Sequence, residues 1–124
     1  MKIKNIFDIA GRAMAAQMVR LNTISSNLAN AGATTGDPET VYKPLKPEFK
    51  TQYSENVKKN GVSTVNVSKV VELQKEPFKV FDPNHPLADG DGYIYKAPIN
   101  VEEEMVDMMD ASRQYQNNVE VVTT

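Results

Sequence analysis

The chain has 124 residues, 40% of them hydrophobic, and contains neither Cys nor Trp. That describes one small unit, too short for two domains of ordinary size and lacking the thiols for a disulfide framework or a Cys zinc site. The net charge of -2 hides a division: residues 1–35 hold Lys2, Lys4, Arg12 and Arg20 against Asp8 (+3), residues 36–100 hold nine acids and nine Lys, and residues 101–124 hold Glu102, Glu103, Glu104, Asp107, Asp110 and Glu120 against Arg113 (-5). Complementary ends point to termini that meet within one chain or between copies. They argue against a nucleic-acid partner, which needs a continuous basic face.

From Asn5 to Ala31 there is no Pro, and apolar residues recur at helical spacing: Phe7, Ala10, Met14, Leu21, Ile24, Leu28, Ala31. With Gln17 in the missing place, the steps alternate between three and four, the stripe of a coiled coil. The spacing predicts a long helix with Asn5 as cap, Asp8 at the positive end of the macrodipole, and Gly32 in a left-handed position after the last turn. The opening is basic, as in a signal peptide, but Asp8, Arg12, Gln17 and Arg20 interrupt the apolar region such a signal needs. No stretch approaches 18 apolar residues, so no membrane-spanning segment is expected.

The middle, residues 34–98, holds all seven Pro. Residues 36–47 read as an extended connector and residues 55–60 as a polar loop tip. Val65-Asn66-Val67-Ser68, Val71-Glu72-Leu73, Phe78-Lys79-Val80-Phe81 and Tyr93-Ile94-Tyr95 are strand candidates beside turn residues. A small antiparallel β-region is expected here.

The segment from Asp82 to Tyr93 gathers the one His and three acids, which invites a metal-site reading. As an EF-hand loop it fails: counted from Asp82, the fifth position is Pro86 and the twelfth is Tyr93. One His with no second His or Cys is also a poor zinc set. The expected structure is a double turn whose Asp and Asn side chains bond their own backbone. Phosphate-loop, dinucleotide and nucleophile-elbow motifs are absent, and His85 has no nucleophile motif to serve. No catalytic, metal or cofactor residue is assigned.

Val101, Met105, Met108, Ser112, Tyr115, Val119 and Val122 repeat the alternation of four and three in a last helix. Asn100 caps it, with Glu103 as capping-box partner. Nothing at Thr124 ends a helix, and the helix is expected to be cut short there. Both helices also carry apolar residues off the main stripe: Ile9, Ala13, Ala15, Ala16 and Met18 on the first, Val106, Met109 and Val121 on the last. A helix apolar on several sides is buried on several sides, more than one partner helix can cover.

The segments Asn5-Ile6-Phe7-Asp8-Ile9-Ala10-Gly11, Ser26-Asn27-Leu28-Ala29-Asn30-Ala31, His85-Pro86-Leu87-Ala88-Asp89 and Ala111-Ser112-Arg113-Gln114-Tyr115-Gln116-Asn117-Asn118-Val119 resemble those of the flagellar axial proteins, and more narrowly of the rod subunits of the flagellar basal body. The resemblance covers both ends and the loop before the last helix. It implies an α+β chain: an assembly helix over residues 1–33, a small β-rich region over 34–98, and a second assembly helix over 99–124, with a further basic helical stretch in such proteins beyond this point.

It further implies a non-enzymatic structural subunit of the proximal rod, polymerising through a coiled-coil layer to transmit torque. The implied partners are other rod proteins, copies of itself and the flagellar type III export apparatus. No cofactor, small-molecule substrate or cleaved signal is implied, and the location is the periplasmic rod. The candidate interface is Phe7, Met14, Leu21, Ile24 and Leu28 with Val101, Met105, Met108, Tyr115 and Val119. Rival readings are a soluble helical-hairpin adaptor or chaperone and, more remotely, a metal-dependent hydrolase using the His85 loop.

Overall fold

The computed structural model describes residues 3–52 and 64–123; the expected loop tip at residues 55–60 lies outside them. The order is helix α1 (Ile3–Ala29), strand β1 (Thr34–Thr35), a 3-10 turn (Pro38–Thr40), strands β2 (Leu45–Gln52), β3 (Thr64–Glu72), β4 (Phe78–Phe81) and β5 (Tyr93–Lys96), and helix α2 (Val101–Thr123). Two long terminal helices thus enclose a small antiparallel β-region, as the α+β reading expects.

At both ends of α1 the sequence expectations need correction. The helix begins at Ile3, so Asn5 lies inside it and is not its cap. Once a turn has formed, each added residue gains a hydrogen bond, and one Asn costs too little to stop it. Gly32 is not left-handed: Gly92 alone among the described residues has a positive φ, of 86°. The chain leaves α1 instead by right-handed turns, with the Ala31 N–H donating to the Leu28 carbonyl and the Ala33 N–H to that of Asn30. The Asn30 amide donates to the Ser26 carbonyl at 2.8 Å, satisfying an acceptor at the helix end.

The start of α2 follows the expectation. The Glu103 N–H donates to Asn100 Oδ1 at 3.2 Å and the Glu104 N–H to the Asn100 carbonyl. Glu102, Glu103 and Glu104 occupy the first turn, where the macrodipole favours negative charge.

β1, β5 and β4 form one sheet in that order, and β2 and β3 form a separate antiparallel ribbon. The two predicted segments at 65–68 and 71–73 fall on one strand, β3, which ends at Glu72 and leaves Leu73 just beyond it, and a bulge opposite Glu48 and Phe49 breaks its register. Residues 36–47 are not wholly a connector: Pro38–Thr40 make the 3-10 turn and Leu45–Pro47 begin β2. Pro47 is tolerated because β2 pairs along one side only. A small core of Val41, Ala97 and Ile99, with Ala31, Tyr42 and Tyr95 against it, sits where the chain leaves α1 and enters α2.

Candidate assembly interface

The two helices pack on each other, and β2 and β3 pack on α1. They run antiparallel, since Arg20 reaches Asp107 and Asp110 while Asn27, nearer the C-terminal end of α1, bonds Glu104 near the start of α2. The buried residues of α1 are Ala10, Ala16, Thr23, Ile24 and Asn27, and on α2 Ala111 is wholly inaccessible. Small side chains therefore make much of the contact inside the chain. The buried line takes in Ala10 and Ile24 of the predicted stripe together with Ala16, Thr23 and Asn27 beside it, and the other bulky stripe residues are left partly outside.

Asn27 organises the C-terminal half of α1. Its Oδ1 accepts from the Leu45 N–H at 2.8 Å and its Nδ2 donates to the Leu45 carbonyl at 3.0 Å, so the amide stands where another strand would pair with the start of β2. The Tyr42 hydroxyl also donates to Asn27 Oδ1, at 2.9 Å. With that proton committed, Ser26 donates in the 2.8 Å contact between the Ser26 and Tyr42 hydroxyls. The Ser26-Asn27 pair of the family-like segment thus ties helix, connector and strand together.

Arg20 fastens the two helices. Its guanidinium lies 3.0 Å from Asp110 Oδ2 and 3.8 Å from Asp107 Oδ1, and donates to Gln17 within α1. The charge complementarity of the two ends is, at Arg20, satisfied inside one chain. Beside this pair a cleft of about 450 Å³ opens between α1, β2 and the start of α2, with Asn27, Phe49, Lys75 and Glu104 on its walls. Desolvation pushes the Glu104 carboxyl above the usual glutamate range. Asp107 and Glu103 add to this, while the Asn27 hydrogen bond and Lys75 oppose it.

Of the candidate interface residues, Ile24 is buried, while Met14, Leu21, Leu28, Met108, Tyr115 and Val119 are half-buried. Phe7, Val101 and Met105 are exposed, Phe7 to 43% and Met105 to 54%. Beyond that set, Ile3 and Met18 on α1 and Val106 and Met109 on α2 are exposed as well, Met109 to 65%. Large apolar side chains open to solvent on two long helices mark a surface built to be covered. Sequence periodicity placed Ala10 on the stripe and missed Asn27, Ala16 and Ala111. Asn27 sits among Thr23, Ser25, Ser26 and Asn30 and does not stand out by polarity, and the small alanine side chains add little to a hydrophobic stripe.

The loop before β5 uses its polar groups on itself. Asp89 Oδ1 accepts from the N–H groups of Asp91 at 3.0 Å and Tyr93 at 2.8 Å, and Oδ2 from the Tyr95 hydroxyl at 3.3 Å. The Tyr93 hydrogen bond, helped by those of Asp91 and Tyr95 and by the charge of Lys79, holds the Asp89 carboxyl below its ordinary range against desolvation. Desolvation raises the Tyr95 hydroxyl. His85 Nδ1 accepts from the Leu87 N–H at 3.0 Å. The Phe81 and Tyr93 rings meet edge to face, with Lys79 Nζ 4.2 Å from the Tyr93 centroid. Gly92 is required here, because at φ 86° a side chain is strained and a Cβ would stand 2.9 Å from the Phe81 ring. These are the side-chain-to-backbone turns expected from the sequence.

Two family models match the chain: one described as "Flagella basal body rod protein" over residues 7–36, the other as "Flagellar basal body rod FlgEFG protein C-terminal" over residues 91–124. The first spans most of α1 and reaches β1; the second spans β5 and α2. Among curated relatives, "Flagellar basal-body rod protein FlgC" of Salmonella typhimurium is 43% identical over 124 residues, covering 100% of this chain and 90% of the relative. The protein of the same description from Yersinia enterocolitica is 40% identical over the same shares. That of Aquifex aeolicus is 38% identical over 96% of this chain and 86% of its own length.

Proposed function

The chain belongs to the FlgC family of flagellar basal-body rod proteins, and from that premise we propose that its two terminal helices are the polymerising surface of a proximal-rod subunit. It is a structural subunit of the basal-body rod and assembles with other flagellar rod components. Residues 1–33 and 99–124 are the assembly segments, and residues 34–98 form a small region outside the packed helices. The ten candidate residues from Phe7 to Leu28 and from Val101 to Val119 contribute the contacts. The observation that carries this reading is the exposure of Phe7, Val101 and Met105 on helices whose contact within the chain is made largely by smaller side chains.

Dense packing of long helices around a common axis gives a stiff rod that transmits torque. Contacts between unlike surfaces that do not close on themselves extend such a structure indefinitely. The subunit travels through the flagellar type III export apparatus to the periplasmic rod. Phe7→Asp with Met105→Asp tests the reading in a strain lacking its own subunit. Both positions are exposed, so the far-UV circular dichroism of the purified chain stays unchanged while motility and rod assembly are lost. Motile cells with normal rods would overturn it.

A further inference from the structure

β4 lies at the edge of its sheet and, among the described residues, pairs with β5 alone. All four of its residues are exposed, Phe78 to 50%, Val80 to 38% and Phe81 to 62%, so both faces are open as well as the edge. The backbone tells which groups are free. The Asp82 N–H donates to the carbonyl of Gly92, the residue opposite it. Bonding residues alternate along an antiparallel strand, so Phe78 and Val80 also turn their N–H and C=O groups toward β5, and Lys79 and Phe81 turn theirs outward. Phe78, Val80 and Asp82 share one face of the strand, with Lys79 and Phe81 on the other. Lys96 lies opposite Phe78 on β5, and among the described residues no ion pair involves Lys96 or Asp82.

We propose that β4 pairs antiparallel with β4 of a second copy, centred on Val80, joining two three-stranded sheets into one of six strands. In that register the outward groups of Lys79 and Phe81 in each copy bond those of Phe81 and Lys79 in the other. Each Lys79 then lies across from a Phe81 ring, beside the Tyr93 ring it already covers. Each Asp82 lies across from Phe78 of the other copy and two strands from its Lys96, about 10 Å between backbones and within reach of the two side chains. The occupant is a second copy because this register matches like face with like face and supplies both opposite charges from the same sequence. Centring on Lys79 would oppose two lysines, and centring on Phe81 would set Lys79 against Pro83, which has no N–H to give. Two four-residue edges bury little area, so the pair is weak and reversible. It closes after two copies and cannot extend a rod. The contact therefore belongs to the free subunit, where it covers a strand edge otherwise open to indiscriminate pairing.

The chain has no native Cys, so single-cysteine variants report contacts without background. Under mild oxidation the full-length Val80→Cys chain forms a disulfide-linked dimer at least tenfold faster than the Phe78→Cys chain. Phe78 is the more exposed of the two, but in this register it faces Asp82 and not its own counterpart. Adding Lys79→Pro, which removes one outward N–H and none that bonds β5, lowers the Val80→Cys rate to that of Phe78→Cys while far-UV circular dichroism stays unchanged. Adding Lys96→Glu slows the reaction severalfold at low salt, and Asp82→Lys in the same chain restores it. A Phe78→Cys rate equal to that of Val80→Cys overturns the pairing. So does a Val80→Cys rate indifferent to Lys79→Pro in a folded chain, or to the charge reversal. No residue of either terminal helix takes part, so that failure leaves the rod-subunit reading untouched.

Discussion

Between Arg20 and Asn30, α1 is held by Asp107 and Asp110 of α2, by Tyr42, and by the backbone of Leu45 at the start of β2. From Ile3 to Met18 the same helix buries Ala10 and Ala16 and leaves Ile3, Phe7 and Met18 open. One half is fixed by directional bonds to its own chain, the other presents non-directional apolar surface. Hydrogen bonds and ion pairs fix the hairpin's register, and on the proposed reading the open apolar area drives association.

The sharpest way to break the contrast is Asn27→Ala. It removes the two bonds to the Leu45 backbone, the one from the Tyr42 hydroxyl and the one to Glu104, leaving the Leu45 backbone and the Tyr42 hydroxyl unsatisfied, at a cost of about 3 kcal/mol. Thermal unfolding of the purified chain is expected to shift down by roughly 10 °C. An unchanged midpoint would mean the C-terminal half of α1 is no better tied than the rest.

A smaller effect is expected for Arg20→Ala. The Arg20 side chain is 23% exposed and its partners Asp107 and Asp110 are 57% and 46% exposed, so solvent screening holds the loss to about 0.5–1 kcal/mol. The loss shrinks in high salt. A double-mutant cycle with Asp110→Ala measures the coupling directly, and a loss independent of salt would assign it to packing of the Arg20 stem instead.

The smallest effect is a gain. Because the folded Glu104 pKa is raised, its contribution is fully present below the unfolded value, near 4.5, and is lost as pH rises through the folded value. Glu104→Gln removes that loss while retaining a side chain able to bond Asn27. The variant is therefore more stable than the parent at pH 7, and the difference vanishes as pH falls below the ordinary glutamate range. Equal melting curves at pH 7 would place Glu104 in water rather than on the cleft wall.

Much of this was legible in the sequence where the pattern repeats. The heptad-like steps of Phe7 to Leu28 and of Val101 to Val122 set both helices, and Asn100 announced the start of α2. The loop around Asp89 was readable because Asp, Asn and Gly form local turns with no distant partner. Where distant contacts decide, the sequence was silent. Asn27 looks like an indifferent helical residue until Leu45 is placed beside it, and Pro47 argued against a strand that a one-sided ribbon permits. The stripe residues were found, but which turn of the helix faces inward depends on alanines whose small size carries little hydrophobic signal. Ala10, Ala16 and Ala111 decide how closely the helices approach, and so which Met and Phe side chains remain outside.

The central claim is that the apolar helix faces open in the single chain are covered in the rod. Methionine oxidation tests it directly, since an exposed thioether reacts with peroxide and a covered one does not. Met105 and Met109, 54% and 65% exposed, are read by mass spectrometry in the free chain and in intact basal bodies. The account predicts rapid oxidation of both in the free chain and at least tenfold protection in the basal body; equal rates in the two states would contradict it.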